Sequence, residues 1–176
     1  MKTSRRMVLT LGGGALATLT MSVRVTAAPS EIIEMHGTAR GERVWFAPSG
    51  LAVAPGTTIR FVNRDPGMSH TSTAYHPDFL DRKPRIPEGA QPWDSDFLMP
   101  GESFEIDLTV PGVYDFYCQP HEMAGMVGRI VVGRPGDPGW DGPSDDTEDV
   151  LPEVLAAFPA VADILRLGRV DAEVEE

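Results

Sequence analysis

The sequence is poor in cysteine and in basic residues. Its 176 residues include one cysteine, Cys118, so no disulfide can form within the chain. One thiol also cannot build a four-thiolate site for zinc or for an iron–sulfur cluster. Fifteen Lys and Arg residues stand against 26 Asp and Glu residues, a formal net charge of −11. Because binding to nucleic-acid phosphates depends on clustered basic side chains, this balance argues against nucleic acid as a partner.

A long uninterrupted apolar run is also lacking, even in the basic N-terminal segment. Residues 1–27 hold four basic residues and no acidic one, and their apolar run from Met7 to about Val23 is short and interrupted by three glycines. Arg5 and Arg6 form a twin-arginine pattern, and Val25-Thr26-Ala27 offers a cleavage site, with Thr26-Ala27-Ala28 as the alternative. We therefore predict a twin-arginine signal peptide over 1–27 rather than an ordinary membrane helix. The protein is expected to be exported to the periplasm, the outer face of the membrane or the exterior, with no stable membrane span after cleavage.

Residues 28–133 have the pattern of a β domain. Apolar residues alternate with polar ones with period 2, as Ile59 and Phe61 do around Arg60, and Pro-Gly turns separate the segments. The spacing predicts an all-β sandwich or barrel. The predicted strands are Glu31 to Met35, Arg43 to Phe46, Thr57 to Asn63, His70 to Tyr75, Ser103 to Val110, Val113 to Cys118 and Val127 to Val132.

Two segments depart from this rhythm. Residues 77–93 contain four prolines, which cannot donate to a strand ladder, so they predict a long surface loop inserted between two strands. After an acidic, Pro- and Gly-rich linker over 134–149, residues 150–168 place apolar side chains at helical spacing, with Pro159 expected to split the helix and an acidic tail at 169–176. This amphipathic segment either packs on its own domain or docks on a partner; membrane binding is less favoured, because its polar face is acidic.

The chemistry lies in the segment from Tyr114 to Ile130. Cys118 is followed by His121 three residues later and by Met126 five residues after that, where a strand ends, turns and re-enters the sheet. A turn brings the three side chains to one point, which a straight strand with alternating side chains cannot do. Thiolate, imidazole and thioether together suit copper. Met123 is an alternative axial ligand.

A copper site of this kind needs a second histidine from another strand. His70 is favoured because it follows the strand and loop at 57–69 and opens the next strand. His76 is the main competitor, because residues 70 and 76 share strand parity. Asn63, seven residues before His70, is placed either to brace the ligand loop by hydrogen bonds or simply to cap a turn.

These segments resemble the cupredoxins, in particular small blue copper proteins of the plastocyanin and amicyanin type. The resemblance covers roughly residues 31–133 and is carried by Trp45 to Asn63, by Ser69-His70-Thr71 and by Tyr114 to Val132. It is closest to plastocyanin-like proteins of halophilic archaea. The insertion at 77–93 and the C-terminal extension, residues 134–176, are departures from the family pattern.

The resemblance implies a Greek-key β-sandwich that binds one type 1 copper ion and transfers single electrons, and not an enzyme. Its ligands carry over as His70, Cys118, His121 and Met126. We expect electrons to leave through His121, inside an apolar contact patch of Pro120, Met123 and Ala124.

The partners expected are transient redox proteins with a basic patch, because residues 28–176 carry a formal charge of −15, from 11 basic and 26 acidic residues. Two other hypotheses are a copper carrier or chaperone, and an accessory electron-relay subunit that docks through residues 150–168.

Overall fold

The computed structural model describes residues 29–172 of the chain. The predicted signal peptide at 1–27 and the last four residues of the predicted acidic tail lie outside the described residues. Within residues 29–172, no helix is long and apolar enough to cross a membrane. The elements are β1 (Ser30–Gly37), β2 (Val44–Ala47), β3 (Gly50–Val53), β4 (Thr57–Asn63), β5 (Thr73–Ala74), β6 (Ser103–Leu108), β7 (Gly112–Tyr117), a 3-10 helix (Gln119–Ala124), β8 (Val127–Val132), α1 (Pro152–Ala157), α2 (Val161–Leu167) and β9 (Arg169–Val170).

The strands form two sheets that enclose one core. One sheet has the order β2-β1-β4-β6, and the other has the order β5-β7-β8-β3-β9. The pairs β1 with β4 and β3 with β8 are parallel, and the other pairs are antiparallel. Apolar residues of both sheets meet in a single cluster between them. The predicted all-β sandwich with a short C-terminal helical extension is confirmed.

Alternation along the strands places the apolar side chains in the core. In β4, Ile59 and Phe61 are fully buried while Arg60 between them is exposed. Phe116 of β7 reaches across the core, with its ring centroid 5.3 Å from that of Phe61. Gly128 of β8 lies under the same ring, and a Cβ at this position would come within 2.3 Å of Phe116. The aromatic packing beneath the ligand loop therefore depends on a glycine.

Three strands differ from the sequence prediction, one of them β9, which forms where an acidic tail was predicted. The strand predicted over His70 to Tyr75 is reduced to Thr73–Ala74, and His70 makes only an isolated bridge to Leu98. β3 was not predicted, because its first residue, Gly50, belongs to a Pro-Ser-Gly turn signal; it forms between β8 and β9. Its first residue, Gly50, lies so close to Ile164 of α2 that a Cβ would come within 2.8 Å of that side chain.

The outer face of the second sheet is covered by the C-terminal extension. Every residue of β7 and β8 is buried, because α1 and α2 lie over the face opposite the core. Val154 and Phe158 contact the cluster around Tyr117, and Ile164 contacts Val131. The chain breaks between the two helices at Pro159, as the sequence predicted. Of the two predicted arrangements, the structure therefore shows this segment packed on its own domain.

Buried ion pairs fix the extension and the insertion to this face. The Asp115 carboxylate is fully buried and accepts hydrogen bonds from Arg85 of the insertion at 3.0 Å and from Arg129 of β8 at 2.6 Å. Arg85 also donates to the Asp146 carbonyl, and Arg129 donates to the Pro159 carbonyl. The insertion is therefore more than a surface loop, since one of its arginines is part of the packed interior.

Candidate metal centre

The ligand loop is a short turn closed by backbone hydrogen bonds. Cys118 follows β7, His121 lies in the 3-10 helix and Met126 precedes β8. The Cys118 N–H donates to the Met126 carbonyl at 3.0 Å, and the Met126 N–H donates to the His121 carbonyl at 3.2 Å. Gly125 ends the helix with φ of 77°, a left-handed conformation that favours glycine. This turn brings three donor-bearing residues to the same end of the sandwich.

Three donor atoms converge at one point. The Nδ1 atoms of His70 and His121 are 3.2 Å apart, and the Cys118 Sγ atom lies 3.6 Å from the first and 3.4 Å from the second. In residues 29–172, this is the one group of three or more His, Cys, Asp or Glu side chains with the geometry to hold a metal ion. A point about 2 Å from all three atoms exists, which is the length of a metal–imidazole bond. Two imidazoles, a thiolate and the nearby Met126 thioether are the donor set expected for copper.

Burial favours the neutral form of two of the donors. Burial raises the pKa of the Cys118 thiol to about 11, despite a hydrogen bond from the Thr71 N–H to its sulfur. Burial, together with the nearby His70, lowers the pKa of His121, so that this imidazole is neutral at physiological pH. Since metals bind the thiolate and the neutral imidazole, a cation at this point would displace the thiol proton and meet an imidazole already in the binding form.

His70 is held by buried polar groups. Its Nε2 atom lies 3.0 Å from the Asp65 carboxylate, and its backbone pairs with Leu98. Burial alone would raise the pKa of Asp65, but hydrogen bonds from the Gly67 N–H and from His70 hold it below its usual value. The Asn63 amide donates to the carbonyls of Met68 and Leu98 at 2.9 and 2.8 Å. These contacts fix the ring with Nδ1 pointing toward Cys118.

The other two histidines lie elsewhere. The His76 ring is near Asp78 and the insertion, with Nδ1 3.4 Å from that carboxylate. The His36 ring stacks on Trp45 at a centroid distance of 5.4 Å. Of the four histidines of the sequence, the structure brings only His70 and His121 to the cysteine.

The surface around His121 is apolar. Met123 is 66% exposed, and Pro120 and Ala124 beside it are also exposed. Phe97 and Met99 are exposed on either side of Leu98, the residue that pairs with His70. By contrast, Tyr117, which precedes the cysteine, is buried beneath the C-terminal extension.

Several residues around the site were missed by sequence reasoning. Asp65 precedes Pro66-Gly67 and resembles an ordinary turn residue, although a carboxylate five residues before a ligand histidine is a usable signal. Gln119 fixes the start of the ligand loop: its backbone N–H donates to the Thr71 hydroxyl, and its side chain donates to Asp94 at 2.7 Å. Glu122 connects the middle of the loop to Tyr75 and to Arg82 of the insertion.

Residues 33–133 match the family model described as copper-binding proteins of the plastocyanin/azurin family. The chain belongs to the plastocyanin/azurin family of copper-binding proteins.

Relatives from plants and a green alga are similar over most of this region. The chain is 37% identical to the chloroplastic plastocyanin of Hordeum vulgare over 53% of this chain and 58% of that protein. It is 31% identical to the chloroplastic plastocyanin of Chlamydomonas reinhardtii over 75% of this chain and 86% of that protein. A solved structure, the pseudoazurin from Sinorhizobium meliltoi, shares 33% identity over 61% of this chain and 77% of that chain, with a TM-score of 0.47.

The family match includes all four predicted ligand positions and the insertion, and it ends before the C-terminal extension. The family binds copper, and this member has a His-Cys-His-Met site to hold one ion. The resemblance to haloarchaeal proteins stays a prediction.

Proposed function

We propose that the chain is an exported type 1 (blue) copper protein that carries single electrons between redox partners. The observation that carries this proposal is the convergence of the His70, Cys118 and His121 donor atoms within 4.8 Å of one another. Membership of a copper-binding family supports it. Copper, when bound, supplies the Cu(I)/Cu(II) couple.

The four ligand residues have different tasks. Cys118 provides the thiolate, and His70 and His121 provide neutral imidazoles. Met126 is fully buried beside them and would provide a weak thioether donor that helps to set the reduction potential. Because the surrounding strands and hydrogen bonds hold these side chains in place, little rearrangement is needed when the charge at the site changes.

Electrons enter and leave through His121. It is the one imidazole of the pair that is not fully buried, and the exposed Pro120, Met123 and Ala124 surround it. Complexes between electron-transfer proteins are weak and have small interfaces. A patch of three exposed side chains therefore suits a transient redox partner. Met123 therefore serves as a contact residue, while Met126 serves as the ligand.

The partner carries a basic patch, because residues 28–176 have a formal charge of −15. Opposite charges accelerate association at low salt, so the electron-transfer rate with such a partner should fall as the ionic strength rises. A rate that does not change with salt would contradict this steering.

The domain organisation and the export route belong to the same proposal. Residues 1–27 direct export by the twin-arginine route, and residues 28–133 form the copper domain. Residues 134–149 link this domain to the helical segment at 150–168, which the acidic tail at 169–176 follows. The protein then acts in the periplasm, at the outer face of the membrane or outside the cell.

A copper carrier or an enzyme is less well supported. Three of the four proposed ligands are fully buried, which hinders transfer of the ion to another protein. Catalysis at the metal needs a position open to substrate, and four protein ligands leave none. An electron-relay subunit within a larger complex would use the same copper site. That hypothesis differs from a freely diffusing carrier only in the partner protein.

Addition of Cu(II) to the purified protein tests the assignment. We expect an intense visible charge-transfer band from the copper–thiolate bond, and a colourless complex would refute the type 1 site. Cys118→Ser should abolish the band, while His76→Ala should leave it unchanged. Loss of the band in His76→Ala would mean that the wrong histidine has been assigned.

Met126→Leu tests the axial position separately. The side chain keeps its size but loses the sulfur donor, so the band should persist and the reduction potential should rise. Met123→Leu is the matched control on the same loop and should leave the potential unchanged; the opposite result would make Met123 the axial ligand.

A further inference from the structure

Glu122, the residue after His121, is bound by three hydrogen bonds from outside its own loop. The Arg82 guanidinium donates to both carboxylate oxygens at 2.8 Å, and the Tyr75 hydroxyl donates to one of them at 2.7 Å. The side chains of Arg82 and Glu122 are only 13% and 15% exposed. A two-pronged ion pair shielded from water in this way is among the stronger polar contacts in proteins.

The same guanidinium also binds the C-terminal extension. Its Nε atom donates to the Asp149 carboxylate at 2.8 Å, and one terminal nitrogen donates to the Asp149 carbonyl at 2.9 Å. It lies over the rings of Tyr75 and Tyr117, at 4.8 and 5.0 Å from their centroids. One side chain of the insertion thus connects the ligand loop to the extension.

The 3-10 helix of the ligand loop lies at the surface. None of the residues of the 3-10 helix Gln119–Ala124 is buried, so this helix contributes no side chain to the core. Its start is fixed through Gln119, and its end returns to β8 at Met126. Between these points, Glu122 is the residue whose side chain is tied to other elements of the described structure by ion pairing.

We propose that Arg82 and Glu122 form a clamp that positions His121 for copper, so that the insertion and the C-terminal extension act together as a brace of the metal site. Both residues are positioning residues, because neither is among the donor atoms. Before copper binds, the clamp holds the His121 imidazole near Cys118. After copper binds, the clamp slows release of the ion. This proposal rests on the proposed function in assigning His121 as a ligand.

The first test uses the protein without metal. Arg82→Met keeps the aliphatic stem but removes the guanidinium, and amide hydrogen exchange is then followed in residues 119–125. We expect exchange in this loop to become at least tenfold faster, while amides of β4 and β7 keep their rates. If the loop amides of Arg82→Met exchanged at the wild-type rate, the proposal would be overturned.

The second test measures release of Cu(II) to an excess of a strong chelator. Arg82→Met and Glu122→Gln should release the ion at least tenfold faster than the wild type, and Arg82→Lys, which keeps the charge but not the fork, should fall between them. Asp149→Asn should give a smaller increase, since it leaves the Arg82–Glu122 pair intact. Unchanged release from Arg82→Met would overturn the clamp even if the loop exchanged faster.

A matched control separates the clamp from general ion pairing. Arg60→Gln removes an exposed pair with Glu105 on the other sheet, where the two side chains are 51% and 59% exposed. Arg60→Gln should leave the amide exchange of the loop and the release of copper unchanged. If it accelerated both as much as Arg82→Met does, the proposal would be overturned. The exchange experiment needs no copper, so a colourless wild-type protein would refute the proposed function while the fate of the clamp is still decided by the amide rates.

Discussion

The two imidazoles of the site are held in opposite ways. His70 is fully buried, its ring is hydrogen-bonded to the Asp65 carboxylate, and its backbone is paired with Leu98. His121 is only partly buried, and it lies on a helix without a buried residue, next to the clamped Glu122.

This contrast divides the site into two halves with different tasks. The His70 half is part of the scaffold, because its polar groups are satisfied inside the protein and cannot move without breaking buried hydrogen bonds. The His121 half faces the solvent and owes its position to charged groups at the edge of the fold. One half provides rigidity, and the other provides access to a partner.

The largest expected difference is between His70→Gly and His121→Gly. Both variants should lose the copper–thiolate band, but removal of His70 also takes away the hydrogen-bond partner of one oxygen of the buried Asp65 carboxylate, at a cost of about 2–3 kcal/mol. Added imidazole should restore the band in His121→Gly, because the gap opens toward solvent, and not in His70→Gly. Visible absorption and thermal unfolding measure both effects, and equal rescue of the two variants would contradict the division into halves.

A smaller difference is expected between Asn63→Ala and Gln119→Ala, which remove one amide from each half. The Asn63 side chain is fully buried and makes three hydrogen bonds to the backbone, so its loss should lower the free energy of unfolding by about 2–4 kcal/mol. Gln119 is partly exposed, and its loss should cost about 1 kcal/mol. Denaturant unfolding of the metal-free proteins gives both values, and a larger loss for Gln119→Ala would reverse the comparison.

The Asp149 ion pair, which supports the His121 half through Arg82, should respond to acid. Burial would raise the pKa of Asp149, but hydrogen bonds from Arg82 and from the Lys83 N–H hold it below 3.8. A carboxyl with a lowered pKa stabilises the fold above its unfolded pKa, and this contribution disappears as the pH falls from 3.8 through the folded value. Asp149→Asn should therefore lower the Tm by a few degrees at pH 7 and by much less near pH 3.

Asn63→Ala is the control for this pH dependence, because an amide does not titrate. Its effect on the Tm relative to the wild type should be similar at both pH values. If the Asp149→Asn effect persisted undiminished in acid, the extension would not be held by this ion pair.

The sequence predicted those parts of the molecule that depend on local pattern. Period-2 alternation located the strand Thr57–Asn63, and a short stretch rich in β-branched residues located Val127–Val132, both with the bounds that the structure has. The spacing of Cys118, His121 and Met126 located the turn, because a turn that collects donors requires residues close together in sequence.

The parts that were not predicted depend on contacts between distant residues. Arg82 is separated from Glu122 by 40 residues and from Asp149 by 67, and a charge pattern does not indicate which acidic residue a given arginine will meet. β3 was missed because four residues carry too little periodicity of their own, and they become a strand only by pairing with β8. His70 was placed at a strand start, but the position of its ring is set by Asp65, which resembled a turn residue.

The smallest effect on stability, and the most specific on function, is expected for Met123→Ser. Met123 on the ligand loop and Leu167 at the end of α2 are similarly exposed, at 66% and 55%, so replacing either by serine should change the free energy of unfolding by no more than about 0.5 kcal/mol. Met123→Ser alone removes apolar contact area beside His121, and it should slow electron transfer to a redox protein with a basic surface several-fold. Oxidation of either reduced variant by ferricyanide, which needs little contact area, is the internal reference and should be less affected. Equal slowing by Leu167→Ser would place the partner contact on the extension and would make both halves of the copper site part of the scaffold.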